Sequence, residues 1–482
     1  MSEIAGWLFD QYTWFVLAGY AVLVYLCVPK EVSPSQFYEG RSKDGVAPSF
    51  WTLVASLTIS WIFAKSIANA ANMSQEFGAW GGLGYAIYYL SFITAGIAIY
   101  LIRTRTGASS ISAFLSSRYN GFCARLFLLA ISVRLFNEVW SNTKVAALYF
   151  GQEASGAYWV AVLLFTGFTM FYSWKGGLRS SLLTDGLQMI LMGILLGIVL
   201  AMLSPGLYAE GLSEVSANTR NAGLTFCALA FVQIFSYPFH DPVLTDRGFL
   251  TEPGTMLRAF FLSALIGGGF IFLFGITGLY AQAFDISGDP TVAVPASIGI
   301  PALMIFNVVM LTSAGSTLDS TFSSMSKLAV RDWTEEHATP DDQQVRTGRW
   351  VMLLLALVGN LPLLTYYLGD QVGPAIISAT TISGTMVVGL APIFLLSFLP
   401  GTNRVSFHLA FWPGMLLGIL RVVHRFNPFL PDFIHIGTGS YALSLGLNVY
   451  GLAFCTVGFL LGNAATWMYS GNTNSTSERA SD

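Results

Sequence analysis

The chain has 482 residues, of which 54% are hydrophobic and only 10% are charged, against roughly a quarter charged in an average soluble domain. This composition excludes an ordinary soluble protein. The formal net charge of −3 gives no basic surface for nucleic acid, and the sequence lacks the phosphate-binding motifs that would indicate a nucleotide. The four cysteines lie in or beside apolar stretches without metal-binding spacing, so we interpret them as buried apolar side chains.

Apolar runs of about 20 residues, each long enough to cross a bilayer, recur along the chain. The predicted spans are 10–29, 50–72, 80–102, 121–150, 156–173, 181–204, 222–240, 257–283, 297–327, 347–368, 373–399, 405–423 and 441–469. With the N-terminus outside, most of the 23 basic residues fall in inside segments, and those in outside segments are Arg220, Arg421 and Arg425. This bias satisfies the positive-inside rule. We therefore predict an all-α membrane protein with 13 spans and a cytoplasmic C-terminus.

The run Thr-Ser-Ala-Gly-Ser-Thr-Leu-Asp-Ser at 312–320 places hydroxyls, small residues and one acid inside an apolar helix. In hydrocarbon each polar group needs a protein partner, since no water is there to supply one. Hydroxyls spaced one and four residues apart share a helix face, and a hard cation such as sodium prefers oxygen ligands of this kind. The run therefore indicates an ion-coupled transporter.

Two spans are predicted to be interrupted. Span 50–72 carries too much polarity for a lipid-facing helix, namely Ser56, Thr58, Ser60, Lys65, Ser66, Asn69 and Asn72. Span 222–240 ends at Pro238 and Pro242, which would break its hydrogen-bond ladder, although Pro238 could equally be an ordinary kink at a helix end. Secondary transporters often unwind helices at mid-membrane, where free carbonyls and helix ends bind ion and substrate. One interrupted span near each end is typical of an inverted repeat.

The ionisable residues well within spans are Lys65, Arg134, Glu138, Asp185 and Asp319. Each costs about 2.5–3.5 kcal/mol at the bilayer centre, so each should pair or line a watery path. Arg134 and Glu138 are four residues apart and could neutralise each other, or Arg134 could bind a substrate carboxylate. Lys65 has no acid nearby on its own helix, so we expect it to meet Asp319 or Asp185 or to face a cavity. Asp185 could be a helix N-cap, but the apolar run already starts before it, which favours a position within the helix.

Three segments resemble the sodium/solute symporter family, which includes sodium-coupled proline, glucose and sialic acid carriers. Gly-Gly-Leu-Arg at 176–179, followed by Thr-Asp at 184–185 and by Gln188, is similar to the family signature around its fifth core helix. Ser-Ala-Gly-Ser-Thr at 313–317 resembles the eighth core helix, and the segment 37–42 resembles the entry to the first broken helix. The resemblance extends over nearly the whole chain.

This resemblance implies the five-plus-five inverted-repeat fold of the leucine-transporter type, with core helices one and six broken. The expected organisation is an extra N-terminal helix and inside loop (1–48), a first five-helix repeat (49–204), a second, inverted repeat (220–399), two extra helices (400–469) and a disordered inside tail (470–482).

The resemblance also implies where ion and solute bind. The expected sodium ligands are the carbonyls of Thr58 and Trp61 and the oxygens of Ser313, Ser316 and Thr317. A second ion or a proton would lie near Asp185, Asp319 and Ser320, although Asp319 takes a position that is usually uncharged. The expected substrate-binding residues are Phe63, Lys65, Asn69, Arg134 and Glu138. The segment 61–85, with Asp241 and Arg247, also looks somewhat like the urea active transporter branch, which implies urea or another small amide.

We therefore expect a sodium-coupled secondary transporter of the plasma (cell inner) membrane that imports a small polar organic solute, as a monomer or homo-oligomer. The first alternative is a proton-coupled or sodium-independent carrier in which the Lys65 ammonium occupies the cation site. A membrane sensor built on a transporter fold is the second, although such sensors usually carry a long soluble domain after the last span. An enzyme is not expected, because the sequence shows no catalytic motif and its five histidines are scattered.

Overall fold

The computed structural model describes residues 11–211, 215–334, 339–369, 381 and 383–478, with side chains up to residue 465. Within these residues every regular element is a helix. The α-helices are α1 (Tyr12–Leu26), α2 (Pro34–Glu39), α3 (Phe50–Trp61), α4 (Ala64–Phe77), α5 (Ala79–Ile87), α6 (Ser91–Thr106), α7 (Ile111–Arg118), α8 (Gly121–Ala147), α9 (Gly156–Glu210), α10 (Ala217–Gln233), α11 (Pro242–Arg247), α12 (Pro253–Phe274), α13 (Ile276–Ala283), α14 (Pro290–Ile298), α15 (Ile300–Lys327), α16 (Asp342–Val358), α17 (Leu390–Leu395), α18 (Arg404–Phe426) and α19 (Ala442–Glu478). Short 3₁₀ segments occupy Tyr88–Leu90, Tyr237–His240, Leu361–Leu368 and Asp432–Ile434, and a π-helical turn at Leu328–Asp332 follows α15.

Seven described helical segments are long and apolar enough to cross a membrane, and the bent pair α3 and α4 raises this number to eight. Large apolar side chains such as Leu163, Ile190, Leu265 and Leu461 are exposed on their surfaces, which suits contact with lipid. An all-α multi-pass membrane protein is thus confirmed, whereas the count of 13 spans stays a prediction. Part of the predicted span 373–399 lies outside the described residues, and α19 extends into the predicted tail.

The first predicted interruption lies between α3 and α4, whose axes differ by 58°. Helix α3 begins after Ser49, whose hydroxyl caps it by accepting the N–H of Thr52 at 3.2 Å. It ends at Trp61, because Ile62 has φ −77° and ψ 68° and leaves the helical region. Helix α4 resumes two residues later, so the prediction of a broken span is confirmed and free carbonyls are available at the break.

The second predicted interruption follows α10, which ends at Gln233. A 3₁₀ turn carries the chain to Asp241, whose carboxylate caps α11 by accepting the N–H groups of Val243 at 3.0 Å and Leu244 at 3.3 Å. Pro242 occupies the first turn of α11, where its missing N–H costs nothing. Pro238 lies in this 3₁₀ turn, beyond the end of α10, so the alternative that it marks an ordinary helix end stays open.

Helix α9 is two helices joined at Gly177, which has φ 53° and ψ −142°. This kink separates the predicted spans 156–173 and 181–204. Asp185 lies inside the second part and is buried, so it is not an N-cap. The second part of α9 packs against α3 and α15, and α11 contacts both of these helices. This packing brings polar side chains from four helices to one place in the core.

Candidate ion and solute sites

Asp185 is fully buried at the meeting point of α3, α9, α11 and α15. Its Oδ1 accepts a hydrogen bond from the Ser316 hydroxyl at 2.5 Å, and its Oδ2 accepts one from the Ser56 hydroxyl at 2.5 Å. The hydroxyls of Ser60 and Ser181 lie 3.4 Å from the same Oδ2. An ionised carboxylate only accepts hydrogen bonds, so this ring of donors suits Asp185 as an anion.

The positive charge beside Asp185 belongs to Arg247, which is only 1% exposed. Its Nη2 lies 3.3 Å from Asp185 Oδ2 and donates to the hydroxyls of Ser320 at 2.7 Å and Ser60 at 3.1 Å. Its Nε donates to the Ser56 hydroxyl at 2.7 Å. The positive-inside rule assigns Arg247 to an inside segment, so this buried position was not expected. The sequence pointed to Arg247 only through the urea-transporter resemblance, in which it stands with Asp241.

Asp319 is a second fully buried carboxylate, on α15. It accepts hydrogen bonds from four hydroxyls, those of Ser181 at 2.8 Å, Tyr172 at 2.9 Å, Thr184 at 2.9 Å and Ser320 at 3.2 Å. With both acids ionised, the two carboxylates and the guanidinium of Arg247 have a formal charge of −1. Burying an unbalanced charge is costly, so this cluster favours one further cation.

The hydroxyl face of α15 points at the break between α3 and α4. The Ser313 hydroxyl donates to the carbonyl of Ile62, and the Thr317 hydroxyl donates to the Ser313 carbonyl at 3.0 Å. Ser316, one residue before Thr317, is turned to Asp185. Of the three expected hydroxyls of α15, Ser313 therefore contacts the first break and Ser316 the carboxylate cluster, while Thr317 bonds the backbone of α15.

The two carbonyls expected from the first broken helix are placed differently. The Trp61 carbonyl accepts the Tyr89 hydroxyl at 2.6 Å, and the Thr58 carbonyl accepts the N–H of Ile62 at 3.1 Å. The carbonyl that faces Ser313 is instead that of Ile62, which sequence analysis missed because the residue at which the helix ends was not evident. The buried Thr58 hydroxyl has no partner among the described residues.

Lys65 lies away from this cation cluster. Its Nζ is 2.7 Å from Glu138 Oε1 and donates to the Ser141 hydroxyl at 3.1 Å and to the Asn137 side-chain oxygen at 3.4 Å. Because Lys65 follows the break, its side chain points to α8 rather than to α15. Lys65 lines a cavity, as one branch of the expectation stated, and it pairs with Glu138 rather than with Asp319 or Asp185. The alternative in which Lys65 occupies the cation site stays a prediction that this geometry does not favour.

Glu138 is shared by two bases. It forms an ion pair with Arg134, one turn earlier on α8, as the spacing predicts, and Lys65 is the second base. Arg134 Nη2 also lies 3.6 Å from Asp241 Oδ2 at the second break. The ring of Phe63 lies beside both bases, 5.2 Å from the Lys65 Nζ and 5.5 Å from the Arg134 Cζ, where cation–π attraction is favourable.

A cavity of about 270 Å³ lies beside Lys65, on the α4 side of the break. Its described lining comprises Trp61, Phe63, Lys65, Ser66, Asn69, Met73, Tyr85, Tyr88, Tyr89, Phe226, Tyr237 and Tyr441. Three of the five residues expected to bind substrate, Phe63, Lys65 and Asn69, thus face the cavity, while Arg134 and Glu138 lie behind them. The cavity combines aromatic walls with a few polar groups, which is typical of small-molecule sites.

A separate ion cluster lies on the α3 side of the break. Lys327, at the end of α15, pairs with Asp246 on α11 and lies 3.8 Å from Asp332. The Ser112 hydroxyl, on α7, donates to Asp332 at 2.8 Å. Nearby, burial raises the pKa of Tyr38 to about 12, so its hydroxyl stays protonated and donates to the backbone carbonyl of Gln344, in the first turn of α16, at 2.7 Å.

No family model matches the chain. The chain is 24% identical over 447 residues to the sodium/myo-inositol cotransporter 2 of Bos taurus, covering 78% of this chain and 64% of that protein. It is 28% identical over 178 residues to the sodium/myo-inositol cotransporter of the same species, covering 36% of this chain and 24% of that protein. The chain therefore spans less than two thirds of the length of these relatives, which are transporters and not enzymes.

The fold is similar to solved transporter structures. A Na⁺-coupled sialic acid symporter superimposes with a TM-score of 0.69 at 13% identity, over 94% of this chain and 98% of that one. A nucleobase-cation-symport-1 family transporter, MHP1, gives 0.53 at 14% identity, over 91% and 95%. These matches define a multi-pass membrane protein with the leucine-transporter type of fold. Together with the cotransporter relatives, they confirm the predicted resemblance to the sodium/solute symporter family.

Proposed function

We propose that this chain is a sodium-coupled secondary transporter that carries a small polar organic solute into the cell by alternating access. The observation that carries the proposal is the Ser313 hydroxyl on α15, which donates to the Ile62 carbonyl at the first helix break, while Thr317, one turn further along α15, bonds the Ser313 carbonyl. Hydroxyl and carbonyl oxygens at a discontinuous helix are the usual sodium ligands of such transporters. The cotransporter relatives, named for sodium and myo-inositol, support the same function.

The charge of the buried cluster supports a single cation. Asp185 is matched by Arg247, whereas Asp319 is held by hydroxyls alone among the described residues. One sodium ion near Ser313, Ser316 and Thr317 would bring the formal charge of the cluster to zero. Sodium then favours the conformation that completes this site, which couples ion binding to the orientation of the transporter.

The solute would bind in the aromatic cavity beside Lys65. The relatives and the structural match are named for myo-inositol and sialic acid, both small hydroxylated solutes. Asn69 and Tyr85, joined by a hydrogen bond of 3.2 Å at the cavity wall, offer donors and acceptors for such groups. We place the protein in the plasma membrane with its N-terminus outside, following the distribution of basic residues.

A sodium titration of the purified protein tests the ion site without knowledge of the solute. A ligand that binds only the folded state raises the melting temperature as its concentration rises. Sodium chloride should therefore stabilise the protein more than choline chloride at equal ionic strength. Thr317→Val should raise the half-saturating sodium concentration by about tenfold or more, since a lost ligand costs about 1.4 kcal/mol or more.

Thr169→Val is a matched control, because Thr169 is buried on α9 and its hydroxyl has no partner among the described residues. It should leave the sodium titration unchanged. Equal stabilisation by sodium and choline, together with no effect of Thr317→Val, would contradict the sodium site. Uptake into proteoliposomes under an inward sodium gradient then tests transport itself.

Proton coupling is the second candidate, because a proton on Asp319 would neutralise the cluster as well as sodium would. Asp319→Asn separates the two. A sodium-coupled carrier should keep a sodium response with lowered affinity, because the variant removes one negative charge but no hydroxyl ligand. A proton-coupled carrier should lose uptake driven by a pH gradient and show no sodium response at all.

A further inference from the structure

Lys65 is the one charged side chain among the described residues that line the aromatic cavity. Its side chain is 19% exposed, whereas those of Arg134 and Glu138 behind it are 4% and 3% exposed. A solute that enters the cavity therefore meets an ammonium group and no carboxylate. Lysine is suited to this role because its charge sits on a flexible stem with three donors.

The partner of Lys65 is already satisfied without it. Glu138 Oε1 pairs with Arg134 on the same helix, and Glu138 Oε2 accepts the side-chain N–H of Asn142 at 2.8 Å. Lys65 thus adds a second positive charge to a neutralised carboxylate. If Lys65 turned into the cavity, Glu138 would keep an ion pair and a hydrogen bond, so the rearrangement leaves no buried anion unpaired.

Arg134, the second base beside Glu138, also has another acid near it. The other acid near Arg134 is Asp241, which accepts two backbone N–H groups at the start of α11. A helix N-terminus itself stabilises a carboxylate. The two bases and the two acids of this group therefore balance, and Lys65 is the one of the four that lines the cavity.

The cavity walls restrict what else the solute can be. The volume of about 270 Å³ lies just below the range of roughly 300–1,000 Å³ for drug-sized ligands. Aromatic faces from Trp61, Tyr88 and Tyr237 line it, and the amide of Asn69 lies at its edge. Such walls accept an apolar or ring face, and the amide can bond a hydroxyl. The described lining residues include no anion that could hold a solute cation.

We propose that the transported solute is a small organic monocarboxylate and that Lys65 binds its carboxylate, leaving Glu138 to Arg134. This inference rests on the proposed function and specifies its substrate class. It also predicts that one sodium ion and one carboxylate cross together, so that the coupled step moves no net charge. The neutral amide implied by the urea-transporter resemblance is the competing solute class.

Matched pairs of solutes test the proposal on the wild-type protein. Lactate, gluconate and nicotinate each have a neutral counterpart that lacks the carboxylate, namely lactamide, sorbitol and nicotinamide, and urea and myo-inositol complete the panel. Thermal stability is measured with each compound in sodium and in choline. At least one carboxylate should stabilise the protein in sodium, and its neutral counterpart should not.

Three variants locate the effect. Lys65→Gln should weaken the carboxylate response by at least about tenfold, the usual range for loss of one charged hydrogen bond, and Lys65→Arg should keep much of it. Lys144→Gln is the control, because Lys144 lies on α8, the helix that Lys65 contacts, but pairs with Glu153 at a partly exposed site. It should respond as the wild type does.

Stabilisation by neutral compounds alone, by both members of a pair equally or by no compound would overturn the monocarboxylate proposal. Retention of the full carboxylate response in Lys65→Gln would overturn the role of Lys65. If that variant does not fold, the comparison of solute pairs on the wild type decides. In all these cases sodium would still stabilise the protein, whereas failure of the proposed function removes the sodium effect itself.

Discussion

Arg247 and Lys65 are basic residues in the core whose partners come from distant segments of the chain. Arg247 bonds Ser56, Ser60, Asp185 and Ser320, so its planar fork bridges α3, α9 and α15. A guanidinium can make these bonds simultaneously because its donors point in fixed directions. Lys65 instead forms its ion pair and hydrogen bonds with α8, through its ammonium group. Arg247 is therefore fixed in the core, whereas Lys65 can change its partner.

Removing Arg247 should destabilise the protein strongly. Arg247→Met leaves the fully buried Asp185 without a counter-charge, and breaking one side of a buried ion pair costs about 3–5 kcal/mol. We expect a clear fall in the melting temperature in detergent. Arg258→Met, at an exposed position on α12, should leave it nearly unchanged.

A double variant separates charge from packing in this experiment. Asp185→Asn combined with Arg247→Met removes both charges of the pair, so it should be more stable than Arg247→Met alone. A double variant that melts below the single one would show that the guanidinium acts through its hydroxyl contacts and not through Asp185.

The sequence could predict the buried acids of this site but not their partners. Asp185 and Asp319 stand within apolar helices, where a charge requires an explanation. Arg247 lies 62 positions from Asp185 along the chain, and the positive-inside rule assigns such a residue to a loop. The spacing of Arg134 and Glu138 on α8 correctly predicts their ion pair. Spacing within one helix cannot show that Lys65, on a different helix, pairs with the same carboxylate.

At the scale of elements, both helix breaks could be predicted and their end residues could not. Pro238 and Pro242 remove backbone donors, and the dense polar residues of 50–72 are unsuited to a lipid-facing helix. The residue that ends α3 depends on how Ile62 packs under α15, which is a tertiary effect. That is why the Trp61 carbonyl was expected to face the hydroxyls of α15, whereas the Ile62 carbonyl is the one that accepts the Ser313 hydroxyl.

Gly177 joins the two halves of α9, and alanine should not replace it. Its φ of 53° with ψ of −142° is a region open essentially to glycine, which costs other residues about 1–3 kcal/mol. A Cβ there would also lie 2.5 Å from the Phe37 carbonyl oxygen. Gly177→Ala should therefore lower the melting temperature and weaken the sodium response, because the second half of α9 carries Asp185.

Gly186→Ala is the control for this prediction. Gly186 lies within the same helix, one residue after Asp185, and a Cβ there would meet no atom within 4 Å. Alanine favours a helix over glycine by up to about 1 kcal/mol, so this variant should be as stable as the wild type or more so. Equal melting of both alanine variants would contradict the role given to the backbone of Gly177.

Across the whole molecule, three polar groups are arranged in order through the core. The cavity with Lys65 lies on the α4 side of the first break, the Asp185 cluster lies at α3, and the Lys327 cluster joins α11 to the end of α15 beyond it. With the orientation predicted from the basic residues, the Lys327 cluster is at the cytoplasmic side. This order fits a conformation in which the path to the cytoplasm is closed by the ion pair between Asp246, on α11 after the second break, and Lys327 at the end of α15.

Breaking this inner ion pair should open the cytoplasmic side. Lys327→Met leaves Asp246 and Asp332 close together without the ammonium between them, and the like charges then favour separation of α11 from the turn after α15. We expect faster hydrogen–deuterium exchange of backbone amides in 242–250 and 328–333, because local opening exposes them.

Lys327→Arg keeps the charge and should exchange as the wild type does. Lys175→Met, which removes a partly exposed lysine that contacts Tyr25, should also leave these segments unchanged. Faster exchange spread evenly over all helices would instead indicate general destabilisation, and unchanged exchange would show that the Lys327 pair does not hold the inner path closed.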